Sequence, residues 1–117
     1  MERIMLKSKI HRATITSTDL YYDGSITLDQ DLLDKAGILP GEQVHVLNLN
    51  NGARFTTYAI VAKRGSGTVV LNGPAARLGS IGDEIIVLSY CQIGDQKARR
   101  LEATTVHVDK NNKVDPR

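Results

Sequence analysis

Residues 33–46, LDKAGILPGEQVHV, are echoed by residues 75–87, AARLGSIGDEIIV. Each unit has the pattern of a short helix, a glycine that stops it, a turn made of glycine and an acidic residue, and an apolar strand. Two such units that interlock would close a small β-barrel and leave no edge strand free. Because this order of elements is common, coincidence stays open as an explanation of the repeat. The pattern favours a mainly β fold with short helices.

Hydrophobic alternation and turn residues predict the bounds of the individual elements. Asp29 and Gly37 are the residue types of a helix N-cap and a helix stop, and Asn51-Gly52 is a hairpin signal. We expect helices over 30–36 and 73–78, and strands over 4–16, 25–28, 43–48, 53–63, 68–71 and 84–90. Beyond Gly94 the pattern weakens. The polar residues 109–117 predict a disordered tail after a single domain at 1–108.

Composition excludes several classes of protein. The 117 residues fit one domain, and 15 Lys and Arg against 13 Asp and Glu leave no charge excess that calls for a nucleic acid or an acidic membrane. The first residues lack the apolar run of a signal peptide, and the single Cys91 cannot form an internal disulfide. The sequence has no zinc pattern, P-loop or dinucleotide fingerprint. We expect a cytoplasmic protein without a metal, a nucleic-acid partner or a membrane span.

The tetrapeptide Tyr22-Asp23-Gly24-Ser25 carries the sharpest chemical signal. By itself it is typical of a tight turn. A Gly-Ser bond can also cut itself: the Ser25 hydroxyl attacks the Gly24 carbonyl, the resulting ester eliminates, and residue 25 becomes a pyruvoyl group with release of ammonia. Such a ketone forms a Schiff base with an amine and accepts electrons, the role that an added cofactor usually fills.

Three further motifs accompany this bond in a fixed order: KIHR at 9–12, NGARFTTYAI at 51–60 and NGPAA at 72–76. Together with Gly24-Ser25 they closely resemble the bacterial aspartate 1-decarboxylases, over about residues 1–91. The resemblance implies a double-psi β-barrel that is made as an inactive precursor and cut into residues 1–24 and 25–117. It implies decarboxylation of L-aspartate to β-alanine for pantothenate synthesis. It also implies a pyruvoyl group in place of pyridoxal phosphate or a metal, and a homotetramer with sites between neighbours. Whether a maturation factor is needed stays open.

The resemblance also assigns roles to individual residues. Ser25 would be the pyruvoyl precursor, Tyr58 the proton donor after decarboxylation, and Thr57 a helper of cleavage beside Gly24. The residues expected to bind substrate are Lys9, Arg54, Thr57, Asn72, Gly73 and Ala75, with His11 and Tyr22 in supporting positions. Taken one at a time, these residues are more usual as turn or strand residues with no chemistry. Pro74 stands where the family commonly has Ala, and it removes one backbone N–H donor.

Two other functions remain open at this stage. Residues 26–44 also resemble the swapped-hairpin half-barrel of small bacterial transition-state regulators, which bind DNA. Those proteins have one such unit, whereas this chain has two, and they have no need of Gly24-Ser25, Arg54 and Asn72 together. The third alternative is a barrel subunit that only scaffolds a partner.

Overall fold

The computed structural model describes residues 1–116, and strands dominate it. The two α-helices are short, and a 3₁₀ helix follows the sixth strand. The elements in chain order are β1 Glu2–Thr14, β2 Ser17–Asp19, β3 Ser25–Asp29, α1 Gln30–Ala36, β4 Gln43–Asn48, β5 Arg54–Ala62, β6 Val69–Asn72, the 3₁₀ helix Gly73–Arg77, β7 Glu84–Gly94, α2 Asp95–Ala98 and β8 Thr104–His107. No helix within residues 1–116 has the length and apolar character needed to cross a membrane.

All eight strands belong to one mixed sheet, in the order β2-β6-β3-β5-β4-β7-β1-β8. The strand pairings follow the same pattern in the two halves of the sheet, which are related by an approximate two-fold symmetry. In the first half, β5 runs parallel to β3 and antiparallel to β4. In the second half, β2 runs parallel to β6 and β1 runs antiparallel to β7. The halves join where β3 pairs with β6 and β4 pairs with β7, both antiparallel.

This symmetry accounts for the sequence repeat, because β3-α1-β4 and β6-3₁₀-β7 are its two copies. The prediction of a mainly β fold, a small double-psi β-barrel with short helices, is confirmed. The repeat was visible in the sequence, but the pairing between its copies was not. One core of branched aliphatic side chains fills the space that the sheet encloses. The largest fully buried members are Ile10, Ile15, Ile26, Leu28, Leu32, Leu33, Leu71 and Ile85.

Asp29 links the strand that begins at Ser25 to the rest of the barrel. Its carboxylate caps α1 by accepting from the N–H of Asp31 at 2.9 Å, as the sequence predicts. It also accepts from the N–H groups of Gly65 and Gly67 at 3.0 and 2.9 Å. Burial works to raise the pKa of Asp29, but these three hydrogen bonds outweigh it and lower the pKa below its usual value. The carboxylate therefore holds a helix end and a turn in place together.

The C-terminal region differs from the sequence-based expectation. Residues 109–117 were expected to form a disordered tail, whereas the structure describes residues 109–116 as a turn packed on the barrel. Asn112 is buried, and its amide nitrogen donates to the carbonyl oxygens of Thr14 and Gly67 at 2.8 and 2.9 Å. Its amide oxygen accepts from the N–H of Thr14 at 2.7 Å. Hydrogen bonds of this kind leave no hydrophobic periodicity, so the sequence pattern did not reveal them. Arg117 lies outside the described residues.

Candidate active site

Ser25 opens strand β3 and is fully buried. Its hydroxyl donates to the carbonyl oxygen of Asp23 at 2.8 Å and accepts from the side-chain amide of Asn72 at 3.0 Å. The same Asn72 nitrogen donates to the Thr27 hydroxyl at 2.8 Å. The antiparallel pairing of β3 with β6 places Ser25 directly opposite Asn72. The sheet register therefore holds a nucleophilic oxygen next to an amide donor, directly after the Gly24 carbonyl.

Gly73, the first residue of the 3₁₀ helix, lies in close contact with the backbone of the Tyr22–Gly24 turn. Its φ is 62°, and a Cβ placed on it would lie 2.8 Å from Gly24 Cα, Gly24 N and the Tyr22 carbonyl oxygen. A side chain would therefore collide with the turn that precedes Ser25. On the other side, a Cβ on Gly24 would approach Pro74 Cδ to 3.2 Å. Glycine at positions 24 and 73, with Pro74, makes this close packing possible.

A cavity of about 240 Å³ lies beside Gly24. Thr57 and Phe55 line it from strand β5, and Pro74 and Ala75 line it from the 3₁₀ helix. Thr57 thus lies near the bond expected to be cut, where the sequence-based hypothesis needs it. Ala75 is buried there as well.

Tyr58 lies on the opposite face of β5 from Thr57. Alternation along β5 gives Thr57 an inward position and leaves Tyr58 39% exposed. Strand β3 runs parallel to β5 with Ile26 opposite Ala59. Continuing this register by one residue brings Ser25 beside Tyr58, about one strand spacing away. Within a single chain, Tyr58 is therefore within reach of the Ser25 position.

Lys9 and His11 lie much farther from Ser25. On the outer face of the sheet, Arg54 is opposite Leu47, Leu47 is opposite Ile86, and Ile86 is opposite His11. Lys9 lies two residues before His11 on the same face of β1. Strand β1 is four strands away from β3 in the sheet, which corresponds to about 19 Å along the sheet surface.

The structure therefore divides the predicted site residues into two groups. One group surrounds the bond between residues 24 and 25, and the other lies on the outer face of β1. The first group contains Tyr22, Gly24, Ser25, Thr57, Tyr58, Asn72, Gly73 and Ala75. The second contains Lys9 and His11, and Arg54 lies between the two groups, four residues before Tyr58 on the same face of β5. Residues 1–116 include no group of three or more His, Cys, Asp or Glu side chains that could hold a metal ion.

Two side chains beside Arg54 were not predicted from the sequence. The Arg54 guanidinium donates to the Tyr90 hydroxyl at 3.5 Å, and the His45 ring packs edge-on against Tyr90 with the ring centroids 5.0 Å apart. The local sequence indicates only that Tyr90 ends one strand and that His45 lies on another. Their meeting depends on the pairing of β4 with β7, which no local signal specifies.

Comparison with known proteins identifies the family. The sequence profile of the aspartate decarboxylase family matches residues 1–115. The chain belongs to the aspartate decarboxylase family. It is 58% identical over 113 residues to an aspartate 1-decarboxylase of Chloroherpeton thalassium, covering 97% of this chain and 83% of the relative. It is 55% identical over 113 residues to the aspartate 1-decarboxylase of Thermoanaerobacter pseudethanolicus, covering 97% of each chain.

Among solved structures, the crystal structure of a rationally designed protein matches with a TM-score of 0.48 and 17% sequence identity. The match covers 68% of this chain and 91% of the designed chain. The family resemblance read from the motifs at 9–12, 24–25, 51–60 and 72–76 is confirmed by the aspartate decarboxylase relatives. These comparisons lend nothing to the alternative of a DNA-binding regulator.

Proposed function

We propose that this chain cuts itself between Gly24 and Ser25 and then decarboxylates L-aspartate to β-alanine and carbon dioxide. The observation that carries the proposal is the Ser25 hydroxyl. It is buried, held between the Asp23 carbonyl and the Asn72 amide, and adjacent to a glycine carbonyl beside a cavity. This arrangement occurs in a chain of the aspartate decarboxylase family.

The first reaction is carried out by the residues of the turn. Ser25 Oγ attacks the Gly24 carbonyl carbon, its proton passes to the Ser25 nitrogen, and the amide bond becomes an ester. Loss of the Ser25 Cα proton then expels Gly24 as a carboxylate and leaves dehydroalanine at position 25. Addition of water and loss of ammonia convert residue 25 into the pyruvoyl group. Thr57 lines the cavity beside Gly24, where its hydroxyl can hydrogen-bond the carbonyl oxygen as charge develops on it.

The residues around position 25 fit a pyruvoyl group. The Ser25 Oγ that Asn72 contacts leaves with Gly24 in the cleavage, so the Asn72 amide would then have the new ketone oxygen, added from water at the adjoining Cα, as its acceptor. Ala75 lines the cavity beside Gly24 and leaves it open because its side chain is a single methyl group. The pyruvoyl group supplies a ketone that takes up the substrate amine and the electron pair released with carbon dioxide.

The remaining tasks fall to protein side chains. Arg54 binds the β-carboxylate of aspartate, since a planar guanidinium matches a carboxylate with two parallel hydrogen bonds. Tyr58, beside position 25 in the sheet register, gives its phenolic proton to the substrate α-carbon. Tyr22 is half-exposed on the turn and forms a wall near the cut bond.

The division of the site residues supports a homotetramer with sites between neighbours. A substrate the size of aspartate cannot contact Ser25 and Lys9 of one chain across four strands of the sheet. Lys9 and His11 can serve the site only if another copy brings its outer face to the Ser25 turn. Exposed aromatic side chains at Tyr21 and Tyr22 next to this turn are typical of a surface that a partner covers. A cytoplasmic location also belongs to the proposal.

The intact mass of the purified protein tests the proposal. Sharing the 12.8 kDa evenly over 117 residues assigns about 2.6 kDa to residues 1–24 and about 10.2 kDa to residues 25–117. The larger fragment should lack a free amine and react with hydrazines. The matched control is Ser25→Ala, which should stay whole, fold and release no carbon dioxide from aspartate. Active protein that consists only of the intact chain would rule out the pyruvoyl group.

A further inference from the structure

Arg54 is an exposed cation with no carboxylate to neutralise it. The ion pairs of residues 1–116 use Arg3, Lys7, Arg12, Arg64 and Arg99, and none of them involves Arg54. Its charge is therefore available to a ligand. An exposed arginine side chain without an ion pair has many rotamers, however, and a ligand would have to immobilise it at an entropic cost.

The contact with Tyr90 limits the rotamers of the Arg54 side chain without neutralising its charge. It lies on β7, and its hydroxyl accepts a hydrogen bond from Arg54 Nη2 at 3.5 Å. A carboxylate at this place would orient the guanidinium more strongly, but it would also compete with a carboxylate substrate. A phenol oxygen is neutral, so it can direct one N–H and leave the remaining fork of donors for the ligand.

The position of Tyr90 is itself fixed by its neighbours. The His45 ring packs edge-on against it, with an interplanar angle of 75°. His45 Nδ1 lies 3.5 Å from the Thr56 hydroxyl, which is on the strand that carries Arg54. Gln43, His45 and Tyr90 also line a cavity of about 590 Å³. The His45 and Tyr90 rings thus line a space that can admit a small ligand.

We propose that Tyr90 is a positioning residue that orients the Arg54 guanidinium toward the β-carboxylate of aspartate. This inference rests on the proposed function, because it requires Arg54 to bind the substrate. Tyr90 acts through Arg54 and takes no part in cleavage or in proton transfer. The carboxylate is bound in the ground state and in the transition state alike, so loss of the orientation weakens binding more than turnover.

Tyr90→Phe tests the inference, because it keeps the ring that packs on His45 and removes only the oxygen that Arg54 contacts. In fully cleaved protein we expect KM for aspartate to rise about three- to tenfold, less than for a charged hydrogen bond of ordinary length, because this contact is 3.5 Å long and exposed. The kcat should stay within about twofold of the parent value. Succinate, a dicarboxylate without an amine, should lose affinity by the same factor in calorimetry. Ser66→Ala is the control, since it also removes one hydroxyl, from an exposed turn outside both groups of site residues, and it should keep the parent KM.

A double-mutant cycle separates orientation of Arg54 from a general structural effect. In an Arg54→Lys background, adding Tyr90→Phe should change KM by less than about 1.5-fold, because the group to be oriented is gone. An undiminished effect in that background, or an unchanged KM in Tyr90→Phe alone, would overturn the inference while leaving the decarboxylase assignment intact. Failure of the parent protein to release carbon dioxide from aspartate would instead overturn the proposed function.

Discussion

Replacing Gly73 with alanine should block maturation by a purely steric route. Gly73 has a φ of 62°, and its Cβ would lie 2.8 Å from three backbone atoms of the Tyr22–Gly24 turn. The side chain has no flexible neighbour to displace, because all three atoms belong to the main chain. The turn must therefore move away from the 3₁₀ helix and take the Gly24 carbonyl with it.

The expected loss in cleavage rate follows from the distance by which the added Cβ would overlap the backbone of the turn. Ordinary contact with a Cβ begins near 3.4 Å, so the turn has to retreat by about 0.6 Å. Since a misplacement of about 1 Å can cost a factor of about 100 in rate, we expect cleavage to slow by roughly tenfold or more. The positive φ adds a backbone strain of about 1 kcal/mol to the free energy of folding, independent of the collision.

Gly37→Ala is the matched control for this experiment. Gly37 has a φ of 66°, and nothing lies within 4 Å of the position its Cβ would take. Both variants should lose stability in urea, Gly73→Ala the more because its turn must also move, but only Gly73→Ala should accumulate precursor in a time course followed by intact mass. Cleavage of Gly73→Ala at the parental rate would refute the argument that this close contact sets the geometry of the Gly24 carbonyl.

Four other substitutions give distinct outcomes. Arg54→Lys keeps the charge and loses the bidentate geometry. We therefore expect kcat/KM for aspartate to fall about ten- to a hundredfold while cleavage is retained. Unchanged kinetics would show that Arg54 is not part of the site. Tyr58→Phe should cleave normally, and its turnover number should fall by a factor of about 10²–10⁴. Thr57→Val should instead accumulate precursor. The reverse pattern would make Thr57 the proton donor and Tyr58 the helper of cleavage. The pKa of Asp29 is lower in the folded protein, so its contribution to stability is present above about pH 4 and disappears as the pH falls through the folded pKa. Asp29→Asn should therefore be less stable at pH 7 in urea titrations and lose less stability on acidification, and a parallel pH profile would contradict this.

The sequence specified the local elements well, because their signals are local. Asp29 and Gly37 bound helix α1 as their residue types predict, and Asn51-Gly52 lies in the turn that joins β4 to β5. The repeat also indicated a closed barrel. The missed elements were β2, α2 and β8. Strand β2 has only three residues, and α2 and β8 lie in a region where periodicity is weak.

The layout of the site could not be read from the sequence in the same way. The family motifs named Lys9, Arg54 and Ser25 together, but only the strand order shows that Lys9 is far from Ser25 in one chain. The contact between Arg54 and Tyr90 likewise depends on long-range pairing. Strand order is decided by contacts between residues distant in sequence, which motifs do not encode.

Strand β1 belongs to the fragment that the proposed cleavage would separate from the rest of the chain, and this would make folding depend on concentration. Its 13 residues lie wholly within residues 1–24, yet they pair with β7 on one side and β8 on the other, and Ile10 and Ala13 belong to the core. Once the bond after Gly24 is cut, the barrel is a noncovalent complex of two peptides. Its unfolding releases a free 24-residue fragment, and refolding becomes a bimolecular reaction. The melting temperature of the mature protein should consequently depend on concentration for a reason internal to each barrel, and added fragment 1–24 should raise it.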